Sequence, residues 1–463
     1  MGKRSNGVFW GPSGLSVWPI AVAMLAAHPA RANDAIAYIT PSRDNTEIHV
    51  IAPDGSGGER LWQVPGGTVR ENGIGALSWS PDGAMLAFDS GHDWRRSMAL
   101  RDIYTLRLGD KRLIRPMNAP EPAAYAALPK GAVTVDIRNG AIGRKLEVYV
   151  AGAAEPNTVT MQSSSKLRLT FENVADFGPN IAQYVRVFDY RVGSPVGEPC
   201  WFDVGVAADV EPGKTVHAGE TQDLYDANCP VLSSPVWRAD GGGLFFLFQE
   251  INHTKSLFTN NIWQVEADPR PGEAGKRLLQ ASAWTLDPPR ISAIAASPKP
   301  ESADDILMLL VNPADRVMAG DMRDPGAAKT LGLDVCFRCH SLGAALLPDA
   351  SGFLVSRFEE TQPAARRPAG GVIYAVDLAS GKKTEILRLA GEAIGRLAVS
   401  PEGERIVFER GNRIDQANMF GHAPLLGPRL LCPCALWIAG RDGSEPKLLA
   451  RDGRAPAWRP SRQ

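Results

Sequence analysis

The sequence predicts an all-β protein: a six-bladed β-propeller closed by N- and C-terminal strands and interrupted by an inserted immunoglobulin-like β-sandwich lobe. Three observations predict it. A strand–turn–strand unit recurs along the chain; 46 Gly and 36 Pro among 463 residues punctuate apolar runs of strand length; and residues 120–230 break the repeat with a strand pattern of their own.

In chain order, Lys3 and Arg4, the apolar stretch Leu15 to Ala27 and Ala30-Arg31-Ala32 have the three parts of a secretory signal peptide, placing cleavage after Ala32, with an uncleaved anchor as the alternative. Residues 33–119 hold blades one and two, at 34–64 and 72–117. The first copy of the unit is Leu77-Ser78-Trp79-Ser80-Pro81-Asp82-Gly83 running into Phe88. Proline presets φ and glycine accepts positive φ, so the segment between the two strands is a tight turn. Blade one lacks an opening strand, having only Ile36 to Tyr38, Glu47 to Ile51 and Arg60 to Trp62.

The lobe, 120–230, shows strands at Val133 to Ile137, Lys145 to Val150, Lys166 to Phe171, Tyr184 to Tyr190 and Cys200 to Val204, the pattern of a small immunoglobulin-like sandwich, with an irregular lobe as the alternative. Residues 231–463 resume the repeat in blades three to six, at 231–281, 290–331, 340–389 and 392–451. Its copies are Pro235 to Gly241, Leu346 to Gly352, Leu397 to Gly403 and a degenerate one from Ile294 to Leu310. Ala455 to Pro460 is an orphan copy of the strand that blade one lacks, and closing the ring with it removes exposed sheet edges. Trp79, Trp237 and Trp458 recur at one position of the unit and read as packing residues.

These W-S-P-D-G hairpins resemble those of the TolB-like six-bladed propellers, outside the signal peptide and the lobe. The resemblance implies a ring closed by strands from both termini and a periplasmic scaffold that docks envelope proteins through the loop-rich mouth without a cofactor.

Fifty Lys plus Arg against 51 Asp plus Glu leave the chain near neutrality, and no basic block tracks a phosphate backbone, which excludes nucleic acid as a partner. No later segment approaches the roughly 20 apolar residues of a transmembrane helix, so the mature chain has no membrane span and is periplasmic or secreted.

Cys336-Phe337-Arg338-Cys339-His340 spells C-x-x-C-H, the attachment signal of a c-type haem. Two thiols at this spacing add to both vinyl groups of one porphyrin, and the adjacent imidazole reaches the iron. Cys336 and Cys339 are therefore candidate haem attachment points and His340 the proximal ligand. In a four-stranded blade the entry to strand one and the loop joining strands two and three open on one face. That geometry sets the motif beside Met419 and His422, candidate sixth ligands, and beside Cys432 and Cys434. These last two could contact haem, supply thiolates to a zinc site with the first cluster, or form disulfides between the loops. His92 and His253 fall in matching loops as candidate ligands or acid/base groups, and Cys200 with Cys229 is a disulfide candidate at the exit of the lobe.

A propeller beside C-x-x-C-H also resembles the α subunit of hydrazine synthase, whose haem joins nitrogen compounds. The iron-ligating tyrosine that follows the motif in that family has no counterpart in Ser341 to Ala345. The leading expectation is an exported haem c protein acting in electron transfer or small-molecule redox chemistry, with a redox partner protein or a small-molecule substrate. A cofactor-free binding scaffold, its cysteines in disulfides or a structural zinc site, is the alternative. No G-x-S-x-G elbow, H-E-x-x-H or phosphate-binding glycine loop points to a hydrolase.

Overall fold

The computed structural model describes residues 34–41, 46–65, 73–92, 99, 101–116, 122–138, 143, 145–160, 166–176, 184–189, 203–208, 215–218, 229–252, 257–268, 276–283, 290–296, 306–312, 316–321, 329–332, 339–360, 369–415 and 429–460. Among these, regular structure is β-sheet apart from a 3-10 segment at Pro122–Ala127. The chain opens with β1 (Ile36–Ile39), β2 (Glu47–Ile51) and β3 (Glu59–Gln63). Blade two follows as β4 (Leu77–Trp79), β5 (Met85–Ser90), β6 (Asp102–Arg107) and β7 (Arg112–Ile114).

Seven strands form the insertion: β8 (Lys130–Arg138), β9 (Lys145–Val150), β10 (Asn157–Thr160), β11 (Lys166–Ala175), β12 (Tyr184–Asp189), β13 (Asp203–Ala208) and β14 (Thr215–Ala218). The blades then resume with β15 (Cys229–Trp237), β16 (Gly243–Asn252), β17 (Leu257–Glu266) and β18 (Lys276–Ala283), then β19 (Arg290–Ala296), β20 (Ile306–Asn312), β21 (Arg316–Asp321) and β22 (Lys329–Gly332). The sheets that the sequence numbering calls blades five and six are β23 (Cys339–Leu346), β24 (Gly352–Glu359), β25 (Gly370–Asp377) and β26 (Lys383–Ala390), then β27 (Ala393–Val399), β28 (Arg405–Asp415), β29 (Arg429–Gly440) and β30 (Lys447–Ala450).

Five sheets thus consist of four consecutive antiparallel strands, the arrangement of propeller blades. The last strand, β31 (Arg454–Trp458), returns to β1, setting Ile36 opposite Trp458 and Ala37 opposite Ala457, and completes a further sheet in the order β3-β2-β1-β31. β31 also touches β27 on one side and β4 on the other.

The turn chemistry is as the sequence requires. Gly83 donates to the Ser80 carbonyl at 2.8 Å, the Ser80 hydroxyl bonds Asp82 at 2.6 Å, and Gly83 sits at φ +65°. Gly241 and Gly403 take the same place at φ +71° and +77°. In blade five it is Ala350, at φ +54°, that adopts the left-handed conformation. An L-residue there costs roughly 1–2 kcal/mol, offset in part by the extra chain entropy a glycine loses. Ala350→Gly will therefore raise stability by about 0.5–1 kcal/mol in urea unfolding, whereas Gly403→Ala will lower it.

Seams between sheets are apolar. Trp79, Phe88 and Tyr104 pack with Ile39 and Ile48 across the blade two seam, and Leu354, Ile373, Ile394 and Phe408 fill the seam of blades five and six. The recurring tryptophans are packing residues that also bond across seams: the Trp237 indole donates to Ser78 O at 2.9 Å, Trp79 to Ala457 O at 3.2 Å and Trp458 to Asp34 Oδ1 at 2.5 Å.

The innermost strands carry bulges, which leave backbone groups off the ladder. A side chain of each neighbouring second strand satisfies them. Asp89 Oδ2 accepts from Ala76 N at 3.1 Å in its own blade and from Ser234 N at 3.0 Å in the next. Ser356 Oγ donates to Gly343 O at 3.3 Å and to Gly395 O at 2.5 Å. Glu409 accepts from Arg396 N at 3.2 Å and, by a very short bond, from Ala455 N. Buried polar groups left unpaired are costly, so these three positions lock one blade to the next.

The insertion forms two sheets, β10-β9-β12-β13 and β11-β8-β14, around a core of Val133, Val135, Leu146, Val148, Phe171 and Val185. β14 joins β8 in parallel, so the first and last strands of the insertion lie side by side. The strand expected at Cys200 to Val204 is found at Asp203–Ala208, and Asn157–Thr160 and Thr215–Ala218 are strands that short, polar sequences concealed. No helix among the described residues is long and apolar enough to cross a membrane.

Candidate functional site

The rim of blades five and six is where the sequence places its chemistry. β23 begins at Cys339, which the antiparallel register sets opposite Glu359, with His340 opposite Phe358. The second half of C-x-x-C-H is therefore paired strand rather than loop. On blade six, Gly411 faces Cys434 across β28 and β29. Cys434 is 2 % exposed and packs with Ala393 against Leu342 and Phe358. The blade topology thus does bring Cys434 against the strand that carries Cys339 and His340.

Cys434 is disulfide-bonded. A sulfur so bonded has no thiolate to offer, and the disulfide is one of the three arrangements the sequence leaves open for Cys434. Among the described residues no group of three or more His, Cys, Asp or Glu could hold a metal ion. Cys336, Met419, His422, His253 and Cys200 lie outside the described residues, and Cys229, Cys339, His340 and Cys432 are placed by their backbone, in β15, β23 and β29.

Beside Cys339, a charged cluster closes blade five. The Tyr374 hydroxyl donates to Glu359 Oε1 at 2.7 Å, Arg388 Nη2 donates to Glu359 Oε2 at 2.9 Å, and Arg388 also grips Glu385 at 2.8 Å. Burial works to raise the Glu359 pKa, but the bonds from Arg388 and Tyr374 and the charges of Arg388 and Arg357 outweigh it and hold the carboxyl below its usual range. Burial, then the bond to Glu359 and its charge, push Tyr374 up to about 12. The carboxylate therefore stays ionised and the phenol stays protonated through the neutral range, which keeps the Tyr374–Glu359–Arg388 bonding pattern fixed there.

The signs define two pH limits. Glu359 contributes stability above the unfolded carboxyl value of about 4.3, lost as pH falls through its lower folded value. Tyr374 contributes below the unfolded phenol value of about 10, lost as pH rises toward about 12. Tyr374→Phe will shrink the alkaline limb, leaving the part that comes from Tyr38, whose phenol is also raised by burial and by Asp452. It will cost about 1–2 kcal/mol at pH 7, read by urea unfolding across pH, because one buried carboxylate oxygen loses its donor.

On blade six, Arg410 bonds Glu392 through both nitrogens, one at 3.0 Å and the other very short, and stacks over Trp437 at 4.2 Å. Arg396 crosses from β27 to donate to Gly75 O, ahead of β4, at 2.6 Å. His92 does not join this rim. Its ring lies 4.6 Å from Tyr104 and 5.5 Å from Trp62, with Nδ1 2.9 Å from Ser90 Oγ, which makes it a packed histidine of the blade two seam. Glu359, Tyr374, Arg388 and Arg396 escaped sequence reasoning because they come from four strands and share no motif.

No protein-family model and no curated protein matches the chain. Among solved structures, a putative TolB from Agrobacterium tumefaciens is 12 % identical, with 91 % of this chain and 90 % of that one covered and a TM-score of 0.42. TolB from Acinetobacter baumannii is 11 % identical over 92 % of this chain and 67 % of its own, with a TM-score of 0.35. A putative 6-phosphogluconolactonase from Bacteroides uniformis is 12 % identical over 92 % and 99 %, with a TM-score of 0.38. Likeness at this level assigns no family and no activity, and the propeller arrangement rests on the strand pairing described above.

Proposed function

We propose that this protein is a cofactor-independent recognition scaffold: a six-bladed propeller whose sixth sheet is closed by β31, carrying the 120–230 insertion as an immunoglobulin-like lobe, exported after removal of residues 1–32 and docking another protein through its loop-rich mouth. The observation that carries the reading is Cys434, disulfide-bonded and buried against the strand that bears Cys339, so that this sulfur is spent on a covalent link rather than offered to a metal. Disulfides belong to oxidising compartments such as the periplasm. The charged groups near it support the same reading, since Glu359 pairs with Arg388 and Glu392 with Arg410. The W-S-P-D-G repeats resemble those of TolB-like scaffolds, which is the kind of role proposed.

The test is protein made by export in a host with cytochrome maturation. All six cysteines are expected to resist alkylation until reduced, and no Soret band will survive acid-acetone extraction. A surviving Soret band, with Cys336 and Cys339 carrying haem mass, overturns the scaffold and restores the redox protein; near-stoichiometric zinc with alkylatable thiols favours the structural metal site instead.

A further inference from the structure

On the turn side of the propeller, at the junction of the β3-β2-β1-β31 sheet with blade two, lies a cavity of about 480 Å³. That volume is within the roughly 300–1,000 Å³ typical of small-molecule sites. Its apolar wall is Val50, Leu61, Trp79 and Leu108. Val50, Leu61 and Leu108 belong to the edge of the seam core but are only partly buried, so apolar surface remains open to the cavity. The β2–β3 turn forms one lip, where Gly55 and Gly57 take φ +88° and +68° and a Cβ added at either would meet open space.

The rim is charged. Arg60, Lys111 and Arg459 line it together with Asp34 and Glu59. Asp34 is already engaged, accepting from Arg405 at 3.0 Å and from the Trp458 indole at 2.5 Å. Arg60 reaches Glu47 at 3.3 Å, and Arg459 donates to Gly83 O at 2.7 Å while stacking 5.1 Å over Trp79. Lys111 stands exposed on the β6–β7 turn with no ion-pair partner among the described residues, and Glu59 alone opposes it as an unengaged acid.

We propose that this cavity binds an amphiphilic monocarboxylate, an acyl or aryl-alkyl acid whose apolar body lies on Val50, Leu61 and Leu108 and whose carboxylate meets Lys111 and Arg60 at the rim. Apolar walls select an apolar body, and Arg60, Lys111 and Arg459 against Asp34 and Glu59 leave the lining one cation in excess, which favours an anionic head over a cationic one. The site is on the opposite side from the mouth and does not depend on the scaffold reading.

Titration calorimetry of the full exported chain with octanoate, and with octylammonium as the charge-reversed control, tests it. Octanoate is expected to bind saturably at one site and to protect Lys111 from acetylation. Lys111→Glu, an exposed change, is expected to weaken octanoate about tenfold, the factor that 1.4 kcal/mol represents, while leaving the thermal midpoint in place. Equal binding of octanoate and octylammonium, an unchanged affinity in Lys111→Glu, or no saturable octanoate binding in the millimolar range each overturns the proposal.

Discussion

A chain ending at Gly453 will fail to unfold as one cooperative unit and will lose more than about 5 kcal/mol, a large share of the 5–15 kcal/mol that holds a domain together. Only ten residues are removed, but β31 within them is the partner of β1 and the neighbour of both β27 and β4. Loss of the buried Trp458 alone costs about 3–5 kcal/mol by comparison with Trp→Ala changes in cores. The Trp79 indole loses its acceptor at Ala457 O, Glu409 loses the Ala455 N–H, and the Gly83 carbonyl loses Arg459. Each orphaned buried group adds about 1–3 kcal/mol. An exposed edge on β1 also invites association with a second chain. Calorimetry and light scattering of the truncated chain should show a broad, low-temperature transition with aggregation; a sharp transition at the full-length midpoint would mean that β31 does not close the structure.

Asp89→Ala will destabilise the protein by about 3–5 kcal/mol, the range for breaking a buried ion pair by removing one partner. Asp89 is 2 % exposed and Arg101 6 %. Arg101 bonds Asp89 Oδ1 through Nε at 2.9 Å and more closely through Nη2, and reaches Gly73 O at 2.7 Å. Without the carboxylate, a buried guanidinium keeps its charge and two backbone N–H groups, of Ala76 and Ser234, lose their acceptor. Asp89→Asn keeps one acceptor oxygen and should fall between wild type and Asp89→Ala. The control is Ser356→Ala at the equivalent position of blade five, where no charge is at stake and about 1–2 kcal/mol is expected. Equal losses at the two positions would show that packing, rather than the ion pair, sets the cost. Gly75→Ala should phenocopy Asp89→Ala, because a Cβ there would come within 2.1 Å of Asp89 Oδ1 and 2.3 Å of Arg101 Nη2.

The hairpins were legible because their determinants are local. Ser80, Asp82 and Gly83 bond within one turn, so a window of seven residues contains the cause and the effect. Blade order, the partnering of β31 with β1 and the meeting of Cys434 with the strand of Cys339 followed from repeating that local unit. The cysteine chemistry was harder, because the same residues serve a haem, a zinc ion or a disulfide, and for Cys434 the choice shows only in the bond it makes. The charged cluster of Glu359 was invisible: Tyr374 and Arg388 are 15 and 29 residues away, on other strands, and only the register of β24, β25 and β26 aligns them.

By itself, then, the sequence determined the all-β class, the repeating hairpin and the strand that each terminus contributes, since turn geometry and alternating burial are written within a few neighbouring residues. Only the tertiary structure decided the bulges of the inner strands and the side chains that satisfy them, the pairing that holds Glu359 ionised, the packing of His92 among aromatic rings and the cavity beside Trp79. Those features depend on groups far apart in the chain whose approach is set by how neighbouring sheets pack, and packing has no period that a linear sequence can display.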